Sequence, residues 1–86
     1  MRDKSNLSRE IQIMPNFVKK ALNNKGLMND YHQRPAYQQN DYLGWINRAK
    51  RQETKESRLA QMLNELEKGG VYMKMKYPAS AKNRAY

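Results

Sequence analysis

Residues 34–66, RPAYQQNDYLGWINRAKRQETKESRLAQMLNEL, decide the fold of this 86-residue chain. The first half places apolar side chains at the i, i+3, i+4 and i+7 spacing of an amphipathic helix. These residues are Tyr42, Trp45, Ile46 and Ala49. The second half carries a further apolar stripe, formed by Leu59, Met62, Leu63 and Leu66. We therefore predict two amphipathic helices, near residues 36–51 and 53–68.

The angular positions of the two stripes predict a break between these helices. At about 100° per residue, one straight helix would hold the two stripes roughly a quarter-turn apart. A break near residues 51–53 lets both stripes face one core, although neither Pro nor Gly separates them. Pro35 marks the start of the first helix, with Asn40 as an alternative, later N-cap. Gly44 costs about 1 kcal/mol relative to Ala inside a helix, which predicts a packing reason such as the close approach of another backbone.

The chain before residue 34 predicts a third main helix near residues 15–24. Pro15 suits the first position of this helix, and Gly26 suits a left-handed cap after its last turn. A short fourth helix is predicted near residues 27–32. The predicted fold class is all-α, a small orthogonal bundle of three main helices. Its predicted core consists of Phe17, Val18, Leu22, Tyr42, Trp45, Ile46, Leu59, Met62, Leu63 and Leu66.

The two ends of the chain have patterns that differ from those of the helices. Ile11 and Ile13 alternate with Gln12, which predicts a short extended lead-in. Residues 71–77 also alternate, which predicts an extended strip with Ile11 to Ile13 as its only candidate partner strand. We therefore divide the chain into a flexible or extended lead-in (1–13), a single helical domain (14–77) and a disordered basic tail (78–86).

The composition is strongly basic. Seventeen Lys and Arg residues face eight Asp and Glu residues, a net charge of +9, which favours nucleic acid, anionic lipid or acidic protein as partner. The stretch 69–86 has basic residues and no acidic one, so it is either solvated or in contact with an anionic surface. The chain has no cysteine, which excludes disulfides and thiolate metal sites. No signal peptide or membrane-spanning segment can be read, which predicts a cytoplasmic location.

Residues typical of catalytic sites are sparse. His32 is the one histidine, and a metal site built on it would need partner ligands that no spacing in the sequence suggests. No Ser/His/Asp triad, HExxH motif or Gly-rich phosphate loop is present. Asp41, Glu53 and Glu56 could act as acids or bases, but a place in the first turn of a helix explains the last two more simply. We therefore predict a non-enzymatic protein with no cofactor and no metal.

A basic cluster at the predicted helix joint is the best candidate for a binding site. It consists of Arg48, Lys50, Arg51, Lys55 and Arg58. The cluster could bind phosphates or carboxylates, or it could be a solvated face paired with Glu53 and Glu56. Tyr37, Tyr42 and Trp45 could stack nucleic-acid bases. However, Tyr42 and Trp45 lie on the apolar stripe, which favours a core role for both.

The segment from Tyr42 to Thr54 resembles the C-terminal signature of the YdeI/OmpD-associated, or bacteriocin-protection, family. The family pattern is approximately Tyr-Leu-x-Trp-Ile-x-x-Ala-Lys-Arg-Pro-Glu-Thr-Arg. It maps onto Tyr42, Leu43, Trp45, Ile46, Ala49, Lys50, Arg51, Glu53 and Thr54. This chain has Gln52 in place of Pro and Lys55 in place of Arg. The upstream segments MPNFVKKAL and GLMNDY are also similar, so the resemblance covers roughly residues 14–75 and corresponds to the family's helical module.

The resemblance implies a role in survival against bacteriocins or cationic antimicrobial peptides, with an outer-membrane porin and a periplasmic site. A chain at +9 repels cationic peptides, so protection would act at an anionic target or through a partner. We therefore expect a non-catalytic helical interaction module linked to antimicrobial-peptide or stress resistance, which binds a protein partner or an anionic surface. The alternative is a nucleic-acid-binding protein that uses the basic cluster and the tail. No small-molecule substrate is indicated.

Overall fold

The computed structural model describes residues 11–78 and contains four helices followed by a small hairpin. The helices are α1 (Asn16–Asn24), α2 (Met28–Gln33), α3 (Ala36–Arg48) and α4 (Gln52–Lys68). The hairpin pairs β1 (Val71–Tyr72) with β2 (Met75–Lys76) in antiparallel register. The predicted all-α fold, with three main helices and a short fourth, is confirmed. Most of the predicted lead-in and nearly all of the predicted tail, residues 1–10 and 79–86, lie outside the described residues.

The predicted break between the two long helices is confirmed. Ala49 and Arg51 have extended backbone, with ψ of 138° and 144° respectively. The helix α3 therefore ends three residues before the predicted residue 51. The carbonyl of Arg51 then accepts the first hydrogen bonds of α4, from the backbone N–H groups of Thr54 and Lys55. Gln52 occupies the first position of α4, the position that also favours Pro, which agrees with the Pro of the family pattern.

The helix starts and the first helix end follow local sequence signals. Pro35 is the N-cap of α3, so the alternative start at Asn40 is wrong. Gly26 has a φ of 68° and ends α1 in a left-handed cap, as predicted. The N–H of Leu27 donates to the carbonyl of Leu22 at 2.8 Å, the longer hydrogen bond of a Schellman motif. Both leucines are buried, so this cap also contributes to the core.

The core lies between the four helices. Its buried apolar residues are Val18, Leu22, Leu27, Tyr31, Tyr42, Leu43, Ile46, Leu59, Met62 and Leu66. Three residues of the predicted core, Phe17, Trp45 and Leu63, are only partly buried and pack against its margin. Leu27, Tyr31 and Leu43 belong to the core although the prediction left them out. Leu43 flanks the predicted stripe of α3, whereas Leu27 and Tyr31 lie at the start of α2 and within it, and α2 packs against the other three helices.

The predicted pairing between the strip after α4 and the lead-in is wrong. Tyr72 pairs with Met75 and Val71 pairs with Lys76, so the strip folds back on itself. The two turn residues, Met73 and Lys74, have φ of 50° and 67°, the conformation of a two-residue type I′ hairpin turn. Residues without the freedom of glycine rarely adopt this conformation. The reason for it here is a contact with α4, described below.

Candidate functional site

The five cations of the predicted basic cluster fall into two groups. Lys55 and Arg58 reach back from α4 to the last turn of α3. The Lys55 Nζ donates to the carbonyl of Asn47 at 3.0 Å, and the Arg58 Nη1 donates to the carbonyl of Trp45 at 2.6 Å. The last carbonyls of a helix have no partner within the helix and carry a partial negative charge. Lys55 and Arg58 therefore cap the end of α3 and connect α4 to it.

The aromatic side chains proposed for base stacking are mostly occupied by the protein itself. The guanidinium of Arg58 lies 5.3 Å from the centre of the Trp45 ring, a cation–π contact that covers one face of the indole. Tyr42 is fully buried, which confirms its core role. Tyr37 is exposed, and its ring meets the edge of Tyr72 at a centroid distance of 6.1 Å. Of the three candidates, only Tyr37 presents much of its surface to solvent.

The other three cations, Arg48, Lys50 and Arg51, are exposed and lie within four consecutive residues of the junction. Arg51 forms an ion pair with Glu53 at 3.9 Å, and both side chains are more than three-quarters exposed (77% and 79%). A pair of this kind is weak in water. Within the described part of the chain, the side chains of Arg48 and Lys50 form no ion pair or hydrogen bond. We call Arg48, Lys50 and Arg51 the open basic patch.

The nearby acidic residues are engaged elsewhere. The Glu56 carboxylate accepts a hydrogen bond of 3.3 Å from the Gln52 side chain. The Asp41 carboxylate accepts one of 2.8 Å from the Tyr72 hydroxyl. The sequence left open whether acids neutralise the basic cluster. Among the five cations of the basic cluster, only Arg51 has an acidic neighbour in ion-pair range within residues 11–78. Lys55 and Arg58 instead donate to backbone carbonyls of α3.

Residues 11–13, the described end of the lead-in, lie against α3 near Arg48 of the open basic patch. The backbone N–H of Gln12 donates to Asn40 Oδ1 at 2.7 Å. The Asn47 side-chain amide donates to the Ile13 carbonyl at 3.2 Å and to Gln12 Oε1 at 3.4 Å. Sequence reasoning missed this contact. The available signal was the spacing of Asn40 and Asn47, which are seven residues apart and so lie on one side of α3.

Gly44 is the point where the lead-in and the basic patch meet. A Cβ at this position would lie 3.0 Å from Arg48 Nη1 and 3.4 Å from Gln12 Cγ. Two side chains therefore pack against Gly44, whereas, among residues 11–78, the predicted close approach of another backbone does not occur at this residue. Because both side chains approach the same glycine, the guanidinium of Arg48 lies next to Gln12.

A buried polar cluster links α3, α4 and the hairpin, and sequence reasoning missed it. The Glu65 carboxylate accepts hydrogen bonds from four donors: the Tyr42 hydroxyl at 2.5 Å, the Met73 and Lys74 backbone N–H groups at 2.8 Å each, and the Gln61 side chain at 3.1 Å. The two backbone bonds hold the hairpin turn in its left-handed conformation. The one available signal was that Glu65 interrupts the apolar stripe between Met62 and Leu66.

A buried arginine completes this polar cluster. Arg34 Nη1 donates to Gln38 Oε1, and Arg34 Nη2 donates to the Glu65 carbonyl, each at 3.2 Å. Burial raises the pKa of the Tyr42 phenol above its ordinary value, and the hydrogen bond and charge of Glu65 raise it further. Burial alone raises the pKa of Tyr31 to about 12. The Tyr42 hydroxyl is thus used in a hydrogen bond within the fold, and the Tyr31 ring is part of the core.

The last features considered from the sequence are His32, metal sites and membrane-spanning segments. His32 is exposed, and its ring meets the edge of Tyr31 at 5.3 Å. No group of three or more potential metal ligands of the His, Cys, Asp or Glu type occurs among residues 11–78. Across the same residues, none of the helices combines the length and the apolarity needed to cross a bilayer.

Comparison with known protein families agrees with the resemblance seen in the sequence. A family model described as "Bacteriocin-protection, YdeI or OmpD-Associated" matches residues 11–69. The chain belongs to this family. The match includes residues 11–13 of the lead-in and all four helices, and it stops before the hairpin. Comparisons with curated proteins and with solved structures gave no match.

The structure gives each family-pattern residue a place at the junction. Tyr42, Ile46 and Ala49 are buried, and Trp45 lies partly buried under Arg58. Thr54 is partly buried in the first turn of α4, and Glu53 is exposed beside Arg51. In this member of the bacteriocin-protection family, the pattern therefore specifies the joint between α3 and α4 and the exposed cations on it.

Proposed function

We propose that this member of the bacteriocin-protection family is a non-catalytic interaction module that binds an anionic partner through Arg48, Lys50 and Arg51. The observation that carries the proposal is the division of the basic cluster. Lys55 and Arg58 are used to hold the junction, whereas the open basic patch faces solvent on a backbone that the junction keeps in place. Several exposed cations within one short stretch attract anionic partners.

The absence of catalysis is part of the proposal, and the placement of the titratable groups supports it. Glu65 and Arg34 are buried and bonded within the fold, and Tyr42 is held protonated by burial and by Glu65. A general acid or base must instead reach a substrate. The family description associates these proteins with bacteriocin protection. We propose that this chain contributes to such resistance by binding its partner.

Nucleic-acid binding has less support than binding to an acidic protein. Two of the five cations in the basic cluster are engaged by helix carbonyls, and two of the three candidate stacking residues are buried or covered. Phosphate contacts supply most of the non-specific affinity for DNA, and base stacking adds to the affinity for single strands. The remaining cations are suited to carboxylates, since arginine can bind a carboxylate through two hydrogen bonds.

A charge-reversal experiment tests the proposed function. The full chain would be titrated against fluorescently labelled poly-L-glutamate and against a short duplex DNA, at salt concentrations from about 50 mM upward. The variant R48E/K50E/R51E should lower the affinity for poly-L-glutamate by about tenfold or more, because three favourable charge contacts become repulsive. The variant K19E/K20E/K25E is the matched control, since it changes the net charge equally at exposed positions of α1 and the residue after it.

The outcomes separate the two candidate functions. Equal losses in both variants would mean that affinity follows net charge and that the open basic patch has no special role. Tighter binding of the duplex DNA than of poly-L-glutamate, with the larger loss in R48E/K50E/R51E, would favour the nucleic-acid alternative. A selective loss of poly-L-glutamate binding in R48E/K50E/R51E supports an acidic protein partner.

A further inference from the structure

We propose that Ile11 and Ile13 of the lead-in join the open basic patch in one docking surface for an acidic peptide segment that also carries apolar side chains. The inference rests on the proposed function, which supplies the charged half of the surface. It adds a second half, made of exposed isoleucines, and it specifies the chemistry of the partner. The family description assigns no role to these isoleucines, and the strand pairing predicted for them from the sequence is wrong.

The apolar half consists of two side chains that the fold turns outward. Ile11 and Ile13 are each 81% exposed, whereas Gln12 between them is partly buried against α3. This alternation is typical of an extended backbone, in which residues i and i+2 lie on the same side. A single exposed apolar residue is common on protein surfaces. Two neighbouring isoleucines on the same side form a small ridge, and covering it with another apolar side chain would be favourable.

The isoleucine ridge is held in position before any partner binds. Three hydrogen bonds join the lead-in to Asn40 and Asn47 of α3. Two of them use backbone atoms, the N–H of Gln12 and the carbonyl of Ile13. A surface that is already ordered loses less entropy on binding than a free segment does. The isoleucine ridge can therefore add to the affinity for a partner at a small entropic cost.

The charged half meets the lead-in at Gly44, next to Gln12. Arg48 Nη1 and Gln12 Cγ lie 3.0 Å and 3.4 Å from the position that a Cβ on Gly44 would take. The guanidinium of Arg48 thus borders the residue between the two isoleucines. Lys50 and Arg51 follow on the exposed side of the junction. Arg48 is consequently beside Gln12, the sequence neighbour of both isoleucines, so a bound peptide segment can reach the cation and the isoleucines together.

Charge complementarity and the apolar ridge together select the partner. Carboxylates satisfy the arginines, and apolar side chains of the same segment cover the isoleucines. Duplex DNA would bring phosphates to the cations but would leave the isoleucines against a polar backbone. A membrane surface calls for a helix with a wide apolar face, whereas this ridge has two isoleucines on a non-helical segment. An acidic peptide segment with apolar residues uses both halves.

Two synthetic peptides test this inference with the full chain. One is a short, fluorescently labelled glutamate-rich peptide that carries leucines, and the other has serine in place of each leucine. The variant I11S/I13S should lower the affinity for the leucine peptide by about tenfold, because two isoleucines lose their partner contacts. Its affinity for the serine peptide should not change. M75S is the matched control, since Met75 is an exposed apolar residue on the hairpin, outside the lead-in and the open basic patch.

The outcomes distinguish this inference from the proposed function. If R48E/K50E/R51E weakens both peptides and I11S/I13S weakens neither, the basic patch acts alone and the inference fails while the proposed function stands. If R48E/K50E/R51E also has no effect, the proposed function fails as well. Tighter binding to phosphatidylglycerol vesicles than to the leucine peptide, with a loss in I11S/I13S, would identify a membrane surface and overturn the inference. An unchanged thermal unfolding curve confirms that I11S/I13S folds, as expected for exposed side chains.

Discussion

The Tyr42 hydroxyl on α3 donates a 2.5 Å hydrogen bond to the Glu65 carboxylate on α4, and both side chains are buried. The same carboxylate holds the Met73 and Lys74 amides of the hairpin turn. One acidic group therefore ties together two helices and the segment after them. A buried carboxylate is costly unless donors surround it, and here four donors do so. Glu65 is the residue whose replacement should affect the largest part of the fold.

Glu65→Gln should destabilise the protein by about 1–3 kcal/mol. The new amide N–H₂ group can only donate hydrogen bonds, so it would face the N–H and O–H groups that now donate to the carboxylate and would leave some of them without an acceptor. Urea unfolding of the variant measures this loss. Hydrogen exchange should also show faster exchange at the Met73 and Lys74 amides. Glu67→Gln is the control, since Glu67 is exposed on the same helix. Equal stability of the two variants would show that Glu65 does not hold the hairpin.

Tyr42→Phe should cost about 1 kcal/mol, because it removes one donor to Glu65 and leaves the ring in the core. The double variant Y42F/E65Q should lose less than the sum of the two single losses, since both changes disrupt the same hydrogen bond. A double-mutant cycle from urea unfolding measures the coupling. Strictly additive losses would mean that the two residues act independently.

The stability of the protein should fall between pH 10 and 12, in part through Tyr31. Burial raises its pKa from 10.0 to about 12, so above pH 10 the unfolded chain loses this proton before the folded chain does. The contribution of Tyr31 is therefore fully present below pH 10 and is lost as the pH rises through 12, by about 2–3 kcal/mol. Tyr31→Phe should show a smaller fall over that range. Parallel curves for the two proteins would contradict this assignment.

Gly44→Ala should leave the protein equally stable or stabilise it by about 0.5 kcal/mol. Alanine favours the helix by about 1 kcal/mol, and the atoms that a Cβ would meet are ends or middles of the Arg48 and Gln12 side chains, which can shift. Gly44→Leu should destabilise, since a larger side chain must displace the lead-in. Thermal unfolding of both variants tests this order. A loss above about 1 kcal/mol in the alanine variant would show that Gln12 is held too firmly to move.

Arg58→Ala should destabilise the protein by about 1–2 kcal/mol, whereas Arg48→Ala should change its stability by less than about 0.5 kcal/mol. Arg58 holds the Trp45 carbonyl and covers the indole ring, but Arg48 is exposed. Urea unfolding compares the two variants directly. The reverse order would contradict the division of the basic cluster into capping and exposed cations.

The sequence was most informative where the structure depends on neighbouring residues. The apolar stripes predicted α3 and α4 and the break between them, because helical periodicity shows which face of each segment must be buried. Gly26 predicted the left-handed end of α1 for a similar reason, since its conformation is set within one turn. The pattern around Tyr42 and Trp45 also identified the family.

The sequence was least informative where a polar group needs a partner from a distant segment. Gln12 bonds to Asn40 and Asn47, which are 28 and 35 residues away. Glu65 bonds to Tyr42, 23 residues earlier in the chain. The alternating residues 71–77 indicated an extended backbone but did not indicate its partner strand. The lead-in was therefore predicted as the partner, because it was the only other extended candidate. The Glu65 carboxylate accounts for the actual turn.

The amino-acid sequence by itself determined the helices, their order, the family and the location of the basic residues along the chain. Only the tertiary structure decided which of those cations are available, because Lys55 and Arg58 became caps once α4 packed against the end of α3. It also brought Gln12 of the lead-in beside Arg48, through hydrogen bonds from the lead-in to Asn40 and Asn47 of α3. The physical reason is that periodicity encodes which face is buried, whereas the partner of a polar group depends on how distant segments pack.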